Sequence, residues 1–345
     1  VTAIRVLVVD DSAFTRKVLR EVLERAGCEV VGVARDGLDA LEKLEQLQPD
    51  VVTLDLMMPN LDGLGVLRAV PPKNKARFVI VSVSSADSAL VIEAFELGAV
   101  DLVHKPTALA TQQLFELSSE LVAKVRIAAG ARAPPPFPSP PPPEPTGARR
   151  PAARLTKRVV VLGTSTGGPQ ALARVLQALP VDLPVPVVIA LHIPTGYTAA
   201  LARRLNESCA LSIVEATNGQ LLLPGYAVIT PGGLHSTIVR DGDQLRVKLD
   251  GAPRPSPYTP SVDALFTSAA TACGPAVLGV VLTGMGDDGL LGARALRAAG
   301  AEVLTEAESS CVVYGMPRCV HEAGLADEEA PLEHMAEAIV RRTMR

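Results

Sequence analysis

The chain has 345 residues, more than one hydrophobic core usually serves, so two domains are expected. Hydrophobic residues make up 48% and aromatics only 3%, with no Trp, so the cores must be built from Val, Leu, Ala and Ile, as in parallel sheets buried on both faces. A net charge of −4 gives non-specific nucleic-acid binding no support from the chain as a whole. The five cysteines, Cys28, Cys209, Cys273, Cys311 and Cys319, are dispersed and include no Cys-x-x-Cys pair. Buried free thiols in a reducing compartment explain them better than disulfides or zinc. Val1 to Val9 reads as a strand ending in acid, without a basic region or cleavage site, and no uncharged stretch reaches membrane-spanning length. A cytoplasmic protein without membrane insertion is expected.

The first half alternates apolar runs with helix-period stretches. The runs are Ile4–Val9, Glu29–Val33, Val51–Leu54, Val79–Ser82 and Val100–Val103, with helical patterns such as Thr15–Arg25 and Leu38–Leu47 between them. Five such repeats predict a five-stranded, doubly wound parallel sheet of the flavodoxin-like kind. In such sheets chemistry gathers beyond the carboxyl ends of the strands. Those ends carry Asp10 and Asp11 after the first strand, Asp55 after the third, Ser82 closing the fourth, and Lys105-Pro106 after the fifth. Three carboxylates at one edge repel one another unless a cation sits among them, and hard oxygen ligands with room for a phosphoryl group favour Mg²⁺. The alternative is a set of helix N-caps, since Asp11 and Ser12 open a helix. Agreement between four strand ends favours the cation pocket.

The run Val8-Val9-Asp10-Asp11-Ser12, with Asp55-Leu56-Met57-Met58-Pro59, Asp62-Gly63 and His104-Lys105-Pro106, resembles a two-component receiver domain. The resemblance spans residues 1 to about 125 and implies specific roles. Asp55 would accept phosphate from a histidine kinase of the CheA type, and Asp10, Asp11 and Asp55 would bind Mg²⁺. Ser82 would contact the phosphoryl group and Lys105 would pair with it. Leu102 stands three positions before Lys105, where receivers often carry an aromatic residue, so the resemblance does not extend to an aromatic switch.

Pro134 to Pro145 holds nine prolines in twelve positions, interrupted by Phe137, Ser139 and Glu144. Proline fixes φ and removes the amide donor, so this stretch is expected to be a polyproline II spacer spanning roughly 35–40 Å. The domain organisation expected is therefore 1–128, a linker over 129–156, and 157–345.

The second half has strand-like runs at Val159–Leu162, Val185–Leu191, Ala227–Thr230, Val277–Leu282 and Glu302–Thr305. An antiparallel hairpin is expected at Ser236–Arg240 and Gln244–Leu249, joined by Asp241-Gly242-Asp243. The fold class is thus α/β twice over, with a mainly parallel sheet plus a hairpin in the second half. After its first strand comes Gly163-Thr164-Ser165-Thr166-Gly167-Gly168, leading into the helical stretch Pro169 to Leu179. A sharp strand-to-helix turn through glycines lifts the middle side chain clear of the sheet and aims free N–H groups at what it attacks. Ser165 is therefore a candidate nucleophile. His192 follows a buried strand and is the candidate base, with His235 as runner-up; His321 and His334 fall in polar helical segments. The loop Gly284-Met285-Gly286-Asp287-Asp288-Gly289 offers one aspartate for the histidine and another to cap the next helix. That loop also matches G-x-G-x-x-G, but its two carboxylates oppose a pyrophosphate, and the Ser165 loop lacks the Lys-Ser/Thr ending of a P-loop.

Several stretches resemble the CheB family of chemotaxis protein-glutamate methylesterases. They include the Ser165 turn, Leu191-His192-Ile193-Pro194, Thr230 to His235, Pro260-Ser261-Val262-Asp263, Leu282 to Gly289 and Ser309 to Pro317. The resemblance implies Ser165 as nucleophile, His192 as base, Asp288 as orienting acid and the Met285 N–H as oxyanion donor. It implies a phosphorylation-activated esterase acting on glutamyl γ-methyl esters of chemoreceptors, with deamidation of receptor glutamines as related chemistry. The esterase needs no cofactor, no nucleic acid is expected as a partner, and a monomer is expected. Two rivals are a DNA-binding output, which would need a basic helix-turn-helix that the second half lacks, and a non-catalytic scaffold.

Overall fold

A computed structural model describes residues 3–71, 73–82, 88–105, 111–134, 137, 157–252 and 258–344, with only the backbone of 111–117. Most of the proline-rich spacer lies outside the described residues, as does Pro106. The chain divides into two compact units, Val1–Pro136 and Phe137–Arg345.

The first unit runs β1 (Arg5–Val9), α1 (Ala13–Arg25), β2 (Glu29–Ala34), α2 (Gly37–Leu47), β3 (Val51–Leu54), α3 (Gly63–Ala69), β4 (Arg77–Ser82), α4 (Ser88–Glu96), β5 (Asp101–His104) and α5 (Thr111–Gly130). The strand order is β2-β1-β3-β4-β5, all parallel, the doubly wound sheet expected. Polar residues at the strand ends start the helices. Ser12, Asp36 and Asp62 each accept a hydrogen bond from the amide three residues on, satisfying a donor that the first helical turn leaves unpaired. The chain reverses direction across the sheet between β1 and β3, which is where Asp10 and Asp55 emerge. Gly63 is required there, because a Cβ would stand 2.4 Å from the carbonyl oxygen of Asp55.

The second unit runs β6 (Val159–Thr164), α6 (Gly168–Ala178), β7 (Val187–Leu191), α7 (Thr198–Ser208), β8 (Ser212–Glu215), β9 (Tyr226–Ile229), β10 (His235–Asp241), β11 (Gln244–Asp250) and α8 (Val262–Cys273). It continues through β12 (Val277–Val281), α9 (Leu290–Ala298), β13 (Glu302–Glu306), α10 (Met316–Glu322), β14 (Glu328–Ala330) and α11 (Leu332–Thr343). Seven strands form one parallel sheet in the order β14-β13-β12-β6-β7-β9-β8, and β10-β11 form the hairpin. The strands β8 and β14 were not expected. Both are short edge strands: β14 is mostly charged, which blunts an edge against pairing with other chains, and β8 offers only Ile213 and Val214 as an apolar run. The hairpin pairs up to Asp241↔Gln244, so the turn itself is Gly242 and Asp243, with Gly242 at φ 58°.

The core of this unit is aliphatic, built around Val159, Val161, Val188, Val228 and Val277, with Phe266 the large aromatic among them. All five cysteines are free; Cys28 and Cys311 are buried, whereas Cys209, Cys273 and Cys319 are only partly covered, against the expectation of burial throughout. Among the described residues no helix is long and apolar enough to cross a membrane.

Candidate active site and acidic pocket

The second sheet also reverses winding, between β6 and β12, and three strand ends meet at that crevice. Ser165 follows β6, His192 follows β7, and Asp288 lies on the loop after β12. The last registered pair of β6 and β7 is Thr164↔Leu191, so Ser165 and His192 are the next residues on adjacent strands. The His192 amide donates to the Thr164 carbonyl at 3.1 Å, and the Ser165 amide to the Thr283 carbonyl at 3.1 Å. Ser165 is thereby pinned between its two neighbours in the sheet.

Each glycine of the Ser165 turn answers a close approach. A Cβ on Gly163 would lie 2.3 Å from Val262 Cγ1, so the start of α8 packs directly on β6. Gly167 has φ 77°, a conformation that favours glycine, and faces Val312. A Cβ on Gly168 would meet Leu191 and Thr164. The half-buried Ser165 lies beside Gly284, where a Cβ would come within 2.8 Å of its own Cβ.

His192 Nε2 is 2.8 Å from Asp288 Oδ2. Asp288 is buried and also accepts from the Val262 amide at 2.7 Å, the Asp263 amide at 3.0 Å and the Ser261 hydroxyl at 3.1 Å. Burial pushes its carboxyl up, but these donors and the nearby imidazole outweigh it and hold Asp288 below the usual carboxylate range. Asp288 is therefore an ionised acceptor. The opposite ring nitrogen, His192 Nδ1, is buried and has no hydrogen-bond partner among the described residues, so the Ser165 hydroxyl is not bonded to it. Catalytic hydrogen bonds of this kind are often open before substrate binds. Tyr258 stacks on the His192 ring with centroids 4.3 Å apart and planes at 5°.

The other candidates separate. His235 is buried and its Nδ1 accepts from the Ser261 amide at 3.2 Å, so it serves the start of α8. His321 and His334 are exposed on α10 and α11. Asp287 is exposed and does not cap α9 as expected; that task falls to Asp263, whose Oδ1 accepts from the Gly289 and Gly292 amides at 2.8 and 2.7 Å. Burial, with Asp288 adjoining, pushes Asp263 up to about 6. Met285 is half-buried in the loop after β12, and its amide donates to no group among the described residues.

Sequence reasoning missed Tyr258, the capping role of Asp263 and the role of Glu306. Glu306 ends β13 fully buried, accepting from the Thr283 amide at 2.8 Å and the Ser310 hydroxyl at 2.9 Å. The Thr283 carbonyl in turn receives the Ser165 amide and the Thr164 hydroxyl. Glu306 thus stands directly behind the nucleophile turn, and burial pushes its carboxyl up to about 7. Among these, Asp263 left a sequence signal as an acid in the first turn of a helix opened by Ser261, and Glu306 one of position only, directly after a strand-like run.

In the first unit, Asp10, Asp11 and Asp55 present oxygens that all lie within 4.8 Å of one another. Asp10 and Asp55 are buried and Asp11 is exposed. The buried Lys105 bridges the first two, with Nζ 2.6 Å from Asp55 Oδ2 and also hydrogen-bonded to Asp10 Oδ2. Burial raises the Asp10 carboxyl, and Lys105 only partly offsets it while Asp55 adds to it. Ser82 is buried at the end of β4, and its carbonyl accepts from the Lys105 amide at 2.7 Å. The structure brings all five expected residues to one strand edge.

Comparison with known proteins agrees with this geometry. Residues 160–339 match the CheB methylesterase family and residues 6–116 match the response regulator receiver domain. A protein-glutamate methylesterase/protein-glutamine glutaminase of Myxococcus xanthus is 60% identical over 350 residues, covering 100% of this chain and 99% of that protein. One of the same description from Symbiobacterium thermophilum is 44% identical over 98% of this chain and 96% of its own length. The crystal structure of the Thermotoga maritima CheB methylesterase catalytic domain superposes with a TM-score of 0.53 at 35% identity, covering 54% of this chain and 98% of that one.

Proposed function

The chain belongs to the CheB methylesterase family and is a receiver-regulated protein-glutamate methylesterase, and on that premise we propose that Ser165, His192 and Asp288 are its catalytic triad. Asp288, held ionised, accepts the Nε2–H of His192 and leaves the lone pair on Nδ1, the tautomer a general base needs. Nδ1 takes the Ser165 proton as Oγ attacks the γ-carbonyl of a glutamyl methyl ester. The Met285 N–H is the donor for the resulting oxyanion. Collapse expels methanol, which carries off the proton from His192, and a water activated in the same way frees the γ-carboxylate from Ser165. A glutamine side chain follows the same route with ammonia leaving. The substrates are methyl-accepting chemoreceptors, as the family resemblance implies; the names of the relatives support a glutamyl ester or glutamine side chain on a protein.

The receiver, residues 1–128, controls this domain, residues 157–345, through the linker 129–156. Asp55 accepts a phosphoryl group from a CheA-type histidine kinase in the cytoplasm. The three converging carboxylates fit a divalent cation: their donors are hard oxygens, and the single ammonium of Lys105 leaves an excess of negative charge among them. Asp10, Asp11 and Asp55 would hold Mg²⁺, which when bound neutralises phosphoryl oxygens. Ser82 and Lys105 orient the phosphoryl group once it is on Asp55.

The observation that carries this reading is the Asp288-bound imidazole with its unpaired nitrogen on the strand next to Ser165. Ser165→Ala is expected to lower methanol release from methyl-labelled receptor membranes by roughly 10⁴–10⁶-fold, as for triad members that act as a unit. Turnover within ten-fold of the parent chain would overturn the nucleophile assignment.

A further inference from the structure

One hydrogen bond does not fix an imidazole. His192 is tied to Asp288 through Nε2 alone, and a ring held at one edge can still rock about that bond. Rocking swings Nδ1 out of line with Ser165. The contact that removes this freedom comes from Tyr258, whose ring lies parallel to the imidazole with centroids 4.3 Å apart. A face-to-face partner at that distance meets the edge of any ring that tilts out of plane, while leaving the in-plane bond to Asp288 undisturbed.

Tyr258 also reaches the loop of the proposed oxyanion donor. A Cβ on Gly286 would come within 2.6 Å of the Tyr258 hydroxyl, so the phenol end rests on the residue that follows Met285. One side chain therefore spans the face of the base and the turn beside the Met285 amide. Burial, with Asp287 and Asp288 nearby, pushes the phenol above its ordinary value, so the stacked ring stays neutral.

We propose that Tyr258 is a positioning residue for proton transfer, a flat platform that keeps the His192 ring in the plane from which Nδ1 reaches the Ser165 hydroxyl when substrate is bound. The proposal rests on the triad reading. Its test is steady-state turnover of methyl-labelled receptor membranes by the full chain, comparing Tyr258→Phe, Tyr258→Leu and Tyr258→Met, with Ser165→Ala as the reference.

Leu and Met remove the flat face but keep apolar bulk. They are expected to lower kcat by about ten- to a hundred-fold, the scale of a small misplacement of a reacting group, with KM within about two-fold. Phe keeps the platform and is expected to stay within about three-fold of the parent chain. Labelling of Ser165 by a fluorophosphonate, which needs the base but not the receptor, should slow in parallel with kcat. Two non-aromatic variants guard against one failing to fold. Parent-like kcat in Leu or Met overturns the proposal. So does a Phe variant as slow as Leu, which would assign the effect to the hydroxyl, or a loss confined to KM, which would make Tyr258 a substrate contact. Turnover that survives in Ser165→Ala would instead overturn the triad reading, and this proposal with it.

Discussion

The two parallel sheets bury carboxylates at the same topological place, beside the crevice where the winding reverses, and treat them in opposite ways. Asp10 accepts one main-chain amide, from Ser12, and shares one ammonium with Asp55, and burial still wins, so its carboxyl is raised. Asp288 receives two main-chain amides, a hydroxyl and an imidazole, and these donors win, so its carboxyl is lowered. The difference follows from how permanent the charge must be. A receiver pocket has to exchange partners when a cation and a phosphoryl group arrive, and a side-chain ammonium on a flexible stem can be redirected. A triad acid must stay ionised through every turnover, and amides at the start of a helix cannot leave.

The sharpest way to break this contrast is Asp288→Asn. With the carboxamide oxygen at the Oδ1 place, where the Asp263 amide and the Ser261 hydroxyl need an acceptor, its NH₂ stands at the Oδ2 place, against the Val262 amide and facing His192 Nε2. That contact forces the proton onto Nδ1, the wrong tautomer for accepting one from Ser165. The expected loss is about 10⁴-fold in kcat with the fold retained, measured by methanol release beside circular dichroism. A loss below ten-fold would mean that the tautomer is set by something other than Asp288.

Glu306 extends the comparison to a third buried carboxylate, whose donors, the Thr283 amide and the Ser310 and Cys311 side chains, are all neutral. Folded, it keeps its proton to about pH 7, whereas the unfolded chain releases it near the ordinary glutamate value of 4.5. Between those values the folded state binds more protons, so stability falls as pH rises across that window. Glu306→Gln removes the penalty and keeps an acceptor for the Thr283 amide. Relative to the parent chain it should gain about 3 kcal/mol on going from pH 4 to pH 8, read from denaturant midpoints of the catalytic unit. Parallel pH profiles for the two proteins would show that Glu306 is solvated as an ordinary carboxylate.

On the receiver side the effect is smaller and confined to regulation. Asp55→Asn should leave basal esterase activity unchanged and abolish stimulation by a small phosphodonor, a response of roughly 100-fold for a coupling of ~3 kcal/mol. Stimulation that persists in this variant would move the switch away from Asp55.

What the sequence could and could not reveal divides along similar lines. Asp10, Asp55, Ser165 and His192 were legible because each ends a run of apolar residues, and a parallel sheet puts such ends on one edge. Asp288 was legible only as one of two adjacent acids until family resemblance separated them. Tyr258 was not legible, and Glu306 showed only as an acid closing a strand-like run, not as a partner of the nucleophile turn. Tyr258 arrives from the segment ahead of α8, and Glu306 acts through Thr283 from a neighbouring strand. Contacts across such separations leave no local pattern. The short strands β8 and β14 were missed because each is an edge strand with too few apolar residues to form a run, two in β8 and one in β14.

Gly163 carries the smallest expected effect and tests how the rigid half of the comparison is assembled. Its missing side chain lets Val262 sit on β6, and Val262 and Asp263 supply the amides that hold Asp288. In Gly163→Ala the new methyl would fall 2.3 Å from Val262 Cγ1, so α8 must retreat. Overpacking of this kind costs about 1–3 kcal/mol, and the retreat also loosens the two amides on Asp288. The expected result is a lower denaturation midpoint together with a several-fold fall in kcat. Val262→Ala on its own opens a cavity, but combined with Gly163→Ala it removes the clash and should recover most of both losses. The coupling between the two sites is the quantity to measure, through a double-mutant cycle on stability and on kcat. Additive losses would mean that α8 is placed by its other contacts, and that Asp288 does not depend on the close packing of Val262 against β6.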